Sequence, residues 1–183
     1  MTSPAGRAPR PVLDTNVVAE ALLPSGPDHV ACSALINTLK PSGAVVVFNE
    51  LLELELSQVL FVAALRERHP KKRIKDVAFD DRIRPRASRL LAQGRRSWGD
   101  VLSTVEYSRV QLGDVLADVP DFMSDYGLES YDAVHAATVR STGVTDFISL
   151  DNGFSKIPPA EMTLHTTMSR LRQTRIRRQR AGH

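Results

Sequence analysis

Apolar positions along this chain fall into short runs separated by helical stripes. Residues 11–14 (Pro-Val-Leu-Asp) form a short apolar run ending in an acid and predict a first strand. Past the turn signals Pro24, Gly26 and Pro27, residues 28–39 carry Val30, Ala34, Leu35 and Leu39 at helical spacing. Pro41-Ser42-Gly43 ends that helix, and the Val-rich run 44–48 predicts a second strand. Asn49 suits the cap of a long helix to residue 65, with Leu52, Leu56, Val59, Leu60 and Ala63 in one stripe. A basic segment follows, with helix expected around 83–93. Two further helices are predicted over 100–112 and 114–126, the second capped by Gly127. Residues 130–142 predict another helix, ended by Gly143. Residues 146–150 predict a third strand before the turn Asp151-Asn152-Gly153, and 162–166 a last short one. Strands alternating with helices imply an α/β fold: a parallel sheet with helices on both faces.

Composition narrows the setting. The chain has 183 residues, 42% hydrophobic and 25% charged, which suits one globular domain with a sizeable core. No run approaches the ~20 apolar residues of a membrane span. Residues 1–10 lack the apolar stretch of a secretory signal. Cys32 is the single cysteine, which excludes an internal disulfide and a cysteine metal site. A cytoplasmic location without a membrane partner is the expectation.

The net charge of +3 conceals segregation. Residues 66–100 hold twelve basic side chains against five acids, and 161–183 hold six Arg against one Glu. The remainder is acidic. Such a layout suits a polyanion-binding protein with a carboxylate metal site, although charge runs are also commonly solvated faces. The expected organisation is a flexible N-terminus (1–10), a domain over 11–167 that contains the basic insertion 66–100, and an Arg-rich tail (168–183). That tail could bind RNA phosphates or be a flexible end that orders with a partner.

Ligands of an open parallel sheet gather beyond the carboxyl ends of its strands. Asp14 ends the first predicted strand and Asp151 follows the third. Asp132 lies in the first turn of the helix from residue 130, and Glu55 on the helix after the second strand. Four carboxylates brought together repel one another unless a cation holds them. Hard divalent ions such as Mg²⁺ or Mn²⁺ prefer all-oxygen ligands, and one or two of them can drive phosphodiester hydrolysis.

The stretches Leu13-Asp14-Thr15-Asn16-Val17, Glu55-Leu56 before Val59-Leu60, residues 131–138 (Tyr-Asp-Ala-Val-His-Ala-Ala-Thr) and residues 148–154 (Ile-Ser-Leu-Asp-Asn-Gly-Phe) resemble the PIN-domain motifs in their usual order. More narrowly they resemble the VapC-type toxins of bacterial toxin–antitoxin modules. The resemblance spans residues 12–166. It implies a three-layer α/β/α fold, Mg²⁺- or Mn²⁺-dependent endoribonuclease activity on single-stranded or loop RNA, and homodimers inhibited by a small antitoxin. It also implies that Asp14, Glu55, Asp132 and Asp151 hold the metal, with Asn16 and Ser149 orienting the carboxylates or a bound water. Glu50 and Glu53 are rivals of Glu55. The insertion 66–100 and the Arg-rich tail depart from the usual length.

Each candidate has a plainer reading. Asp132 could complement a helix dipole, Asp151 could serve only its turn, and Glu55 could be a surface acid. The adjoining motif residues favour the site. His135, three residues after Asp132, is expected to be packed or partly exposed rather than a general base, and Trp98 to be core or an oligomer contact. Two other functions stay open: a housekeeping RNA-processing nuclease, and a catalytically silent RNA- or protein-binding domain. A phosphotransfer domain built on Asp14 is disfavoured, because Asn16 stands where its second acid belongs.

Overall fold

The computed structural model describes residues 8–77 and 80–166, so the tail 168–183 and most of the segment 1–10 lie outside the described residues. The described chain is α/β. Its strands are β1 (Val12–Leu13), β2 (Val45–Asn49), β3 (Glu106–Val110), β4 (Asp146–Ile148) and β5 (Thr163–His165). They form one five-stranded sheet in the order β3-β2-β1-β4-β5, with every pair parallel. Its helices are α1 (Thr15–Leu22), α2 (His29–Leu39), α3 (Glu50–Arg68), α4 (Arg84–Leu102), α5 (Val119–Tyr126) and α6 (Ser130–Thr142).

Alternation along the strands divides the core between two faces. Leu13, Val46, Phe48 and Ile148 pack towards α1 to α4 in one buried cluster with Val17, Ile36, Leu52, Leu56, Leu60 and Trp98. Val12, Val47 and Phe147 point the other way, against Val119, Phe122 and the apolar face of α6. The sheet is thus the middle layer of three. Trp98 meets Phe48 edge-on at 5.4 Å between ring centres, which makes it a core residue.

The chain winds outward from β1 through β2 to β3, then returns by α5 and α6 to β4 on the other side of β1. The order therefore reverses between β1 and β4, the position where open α/β sheets hold ligands. Two helix ends prepare that return. Gly127 and Gly143 end α5 and α6 at φ of 60° and 62°, a left-handed conformation that side chains resist.

Two predicted elements are different in the fold. The helix expected over 100–112 is the end of α4 followed by edge strand β3. In β3 Glu106, Tyr107 and Arg109 are exposed, so no apolar run marks it in sequence. The helix expected over 114–126 begins only at Val119, after a 3₁₀ turn at Leu112–Asp114, with Pro120 in its first turn. In addition, α1 follows β1 directly, and α4 continues well past residue 93.

The segment 66–100 leaves α3, forms two 3₁₀ turns and becomes α4. It has a small core of its own, in which Ala64, Leu65, Val77, Ile83, Ala87 and Leu90 are buried. Much of its basic charge is neutralised locally. Arg82, His69 and Arg68 surround Asp80, Arg73 pairs with Asp76, Arg84 with Asp81, and Arg86 with Glu67. Among the described residues, no helix is long and apolar enough to cross a membrane.

Candidate active site at the sheet switch point

Asp14 ends β1 and precedes α1 in an extended conformation, and its backbone N–H still donates to Ile148 of β4 at 3.0 Å. Its side chain is buried. Carboxylate Oδ2 accepts from Ser149 Oγ at 2.5 Å and from Asn16 Nδ2 at 2.7 Å. Asn16 also donates to Ser149 Oγ at 3.2 Å and accepts from the Leu150 N–H at 3.0 Å. Ser149 Oγ in turn accepts from the Asp151 N–H at 2.9 Å. The polar residue two after Asp14 therefore stitches β1 to the segment leaving β4, and Asp14 and Asp151 share one hydroxyl as an anchor.

Asp151 is exposed, and its Oδ1 accepts from the Gly153 N–H at 2.7 Å, closing the turn that its sequence predicts. Asp132 is half-buried in the first turn of α6. Burial, then the nearby Asp151, then Asp14 push its carboxyl up to about 6. Burial likewise raises Asp14, and the Glu55 charge adds to this, against the opposing pull of His135, Ser149 and Asn16. Asp132 thus lies close enough to both Asp151 and Asp14 to be repelled by each.

Glu55 is tied in from the other side. Its Oε2 accepts from Thr15 Oγ1 at 2.6 Å and from His135 Nε2 at 2.8 Å, and that same ring nitrogen lies 3.6 Å from Asp14 Oδ1. Burial opposes charge on Glu55, but these two donors and the His135 charge outweigh it, so its pKa falls. His135 is buried, which by itself disfavours its cation; the carboxylates of Glu55, Asp14 and Asp132 prevail and raise its pKa.

The proton on His135 has a fixed place. Asn49 Oδ1 accepts from the Leu52 N–H, capping α3, which turns Nδ2 towards Thr138 Oγ1 at 2.8 Å and His135 Nδ1 at 3.3 Å. Thr138 Oγ1 spends its own proton on the Val134 carbonyl, so it accepts from Asn49. An amide N–H facing Nδ1 makes that nitrogen the acceptor, and the proton of the neutral ring sits on Nε2, between Glu55 and Asp14. His135 thus holds two acids together and has no lone pair directed at the cleft.

All six candidates from the sequence (Asp14, Asn16, Glu55, Asp132, Ser149 and Asp151) lie in this region, linked by hydrogen bonds or by mutual repulsion. The rivals of Glu55 are engaged elsewhere: Arg109 of β3 lies 2.6 Å from Glu53 and 3.6 Å from Glu50, and Glu50 also accepts from the Leu112 N–H. Thr15, Asn49 and Thr138 complete the site. Asn49 is visible in sequence as a helix cap, but its contacts with α6 are not.

The donors present are oxygens with excess negative charge, a set whose chemistry suits a hard divalent cation. They are not assembled as a finished cage. Among the described residues, no three His, Cys, Asp or Glu side chains are grouped as a ready-made metal site. Glu55 Oε2 and Asp14 Oδ2 are occupied by the protein's own donors, which leaves Glu55 Oε1, Asp132 and the outer oxygen of Asp151 as the least committed. No protein-family model and no curated protein sequence matches this chain.

Proposed function

We propose that the chain is a metal-dependent endoribonuclease of the PIN-domain kind, hydrolysing phosphodiester bonds in single-stranded or loop RNA. The observation that carries this reading is the position and electrostatics of the acids. They gather at the switch point between β1 and β4, where burial, together with the charges of Asp151 and Asp14, lifts Asp132 to about 6. Perturbed groups of this sort concentrate at functional sites, because a folded protein gains nothing from repulsion it does not use.

Asp14, Glu55, Asp132 and Asp151 would hold one or two Mg²⁺ or Mn²⁺ ions, which supply an activated water and charge stabilisation at the phosphoryl group. The protein's contribution is orientation. Ser149 and Asn16 fix Asp14, while Thr15 and His135 fix Glu55. With its proton on Nε2, His135 bridges two acids and is not the base. While no cation is bound, burial and the charges of Asp151 and Asp14 hold the Asp132 carboxyl up at about 6.

In its narrower form, the reading makes the chain the toxin of a toxin–antitoxin pair, a cytoplasmic homodimer restrained by a small antitoxin. The four motifs in their order support that form, and a housekeeping RNA-processing role is its alternative. One observation favours a second reading, a catalytically silent binding domain: the acids are not grouped as a finished metal cage among the described residues.

The test is cleavage of a mixed pool of structured RNAs by the full chain with Mg²⁺, with Mn²⁺ and with EDTA, beside Asp14→Asn. Cleavage that requires metal and disappears in the variant is expected. RNA binding without cleavage under any condition favours the silent domain, and cleavage by Asp14→Asn at the parent rate overturns the assignment of the site.

A further inference from the structure

A groove of about 700 Å³ lies between α3, α4 and the start of α6, and Glu55 of the candidate active site forms part of its wall. The rest of the wall is largely apolar, with Leu54, Val59, Phe61 and Leu91, and with Tyr131 and Arg95 beside them. Leu54 is 67% exposed and Tyr131 59%, although each belongs to a well-packed helix. A single exposed apolar side chain needs no explanation, but two in one groove, joined to a carboxylate site, do.

Among the described residues, five of the twelve cations in segment 66–100 pair with a carboxylate, and Arg95 is not one of them. Arg82, Arg84 and Arg86 each have a carboxylate partner. Arg95 is exposed on the groove, and no ion pair engages it among the described residues. An exposed guanidinium without an ion pair and an exposed tyrosine lining one groove offer partners for the two halves of a nucleotide: the cation for a phosphate and the ring for a base. Tyr131 lines the same groove as Glu55, so a base held on it lies near one of the acids.

From this geometry we infer that the groove is a nucleotide subsite for single-stranded RNA, with Tyr131 stacking one base and Arg95 pairing with an adjacent phosphate. The inference rests on the nuclease reading of the neighbouring acids and adds to it the groove and the two side chains that would hold the unpaired strand. Stacking on an aromatic face accepts any base that is free of a duplex, so the groove selects unpaired RNA with little preference for sequence. A base held in a helix cannot reach Tyr131.

The experiment measures binding of a labelled single-stranded RNA decamer, and of the same sequence as a duplex, by fluorescence anisotropy. The full chain is used in EDTA, so that binding is read without cleavage. Tyr131→Ala is expected to weaken single-strand binding by about ten- to a hundredfold, Tyr131→Trp to restore it, and Tyr131→Leu to leave it weak. Arg95→Gln is expected to weaken binding and to lower the slope of log affinity against log salt by about 0.7. Duplex binding should be weak and insensitive to Tyr131→Ala. Unchanged single-strand affinity in folded Tyr131→Ala and Arg95→Gln variants overturns the subsite. So does a change of oligomeric state in those variants at unchanged RNA affinity, which would mark a protein-docking groove. Metal-dependent cleavage that Asp14→Asn abolishes but Tyr131→Ala leaves intact in KM refutes the subsite alone. The expected binding pattern with no cleavage by the parent refutes the nuclease and leaves the subsite standing.

Discussion

Asp80 and Asp132 are the same side chain in opposite surroundings. Asp80, in the segment between α3 and α4, receives Arg82 in two hydrogen bonds at 2.8 and 3.0 Å and His69 at 2.9 Å. Those donors hold its carboxyl well below the usual range. Asp132, at the switch point, faces burial and the charges of Asp151 and Asp14, and its carboxyl rises to about 6. The first arrangement holds a loop together and is complete. The second has its largest electrostatic influences unfavourable, and a divalent cation would reverse the main ones. The contrast separates an acid whose partners satisfy it from one whose neighbours oppose its charge, and it is the second kind that the proposed chemistry would use.

The largest effect that can break this contrast is on turnover. Partners one step removed from a metal cost about 10–100-fold when removed, so Ser149→Ala should reduce RNA cleavage within that range. Asp14→Asn and Asp132→Asn should lose at least as much as its upper end, while Asp80→Asn should stay within about twofold of the parent. Equal losses from Asp80→Asn and Asp132→Asn, both folded, would erase the distinction.

Stability should divide the same way. Asn49 caps α3 and binds Thr138 and His135 in a fully buried setting. Losing the cap and leaving buried groups unsatisfied should make Asn49→Ala less stable by about 2–4 kcal/mol in urea unfolding. Asp132→Asn should act in the opposite direction. Its carboxyl binds a proton more tightly in the folded chain than in the unfolded one, so its contribution is most favourable below about pH 4 and is lost as pH rises through about 6. At pH 7 without metal, Asp132→Asn should therefore melt about 2–4 °C above the parent, allowing for solvent screening of a half-exposed group. The difference should vanish by pH 4.

A smaller effect tests the other member of the pair. The depressed carboxyl of Asp80 contributes stability above its ordinary pKa, and this is lost as the solution is acidified. Asp80→Asn should lower the melting temperature at pH 7, and the deficit should start to shrink only as pH falls below the ordinary carboxylate value. A deficit that stays constant through that acid range would mean the ion pairs are not its source.

Much of this was legible in sequence, for reasons that also explain the omissions. Short apolar runs (Val-Leu, Val-Val-Val-Phe and Phe-Ile) mark β1, β2 and β4, because buried parallel strands are apolar on both faces. Edge strand β3, Glu-Tyr-Ser-Arg-Val, has exposed side chains and no such mark. Gly94 hides the continuation of α4: it is buried where a Cβ would stand 2.2 Å from Leu60 Cδ1, so close helix approach requires the glycine that weakens the helical pattern. The acids were legible because strand ends and helix starts locate them. The ties among them were not, since Thr15 meets Glu55 across 40 positions and Asn49 meets His135 across 86. Periodicity within one element carries no information about such pairs.

The central claim is that the switch-point acids form a charge cluster awaiting a cation. Its most direct test is a carboxyl ¹³C NMR titration of Asp132 and Asp80 in the full chain, with and without Mg²⁺. The account predicts that Asp132 titrates near pH 6 without metal and well below that when Mg²⁺ is bound, while Asp80 stays low in both conditions. An Asp132 that titrates near its ordinary value and ignores Mg²⁺ would contradict it.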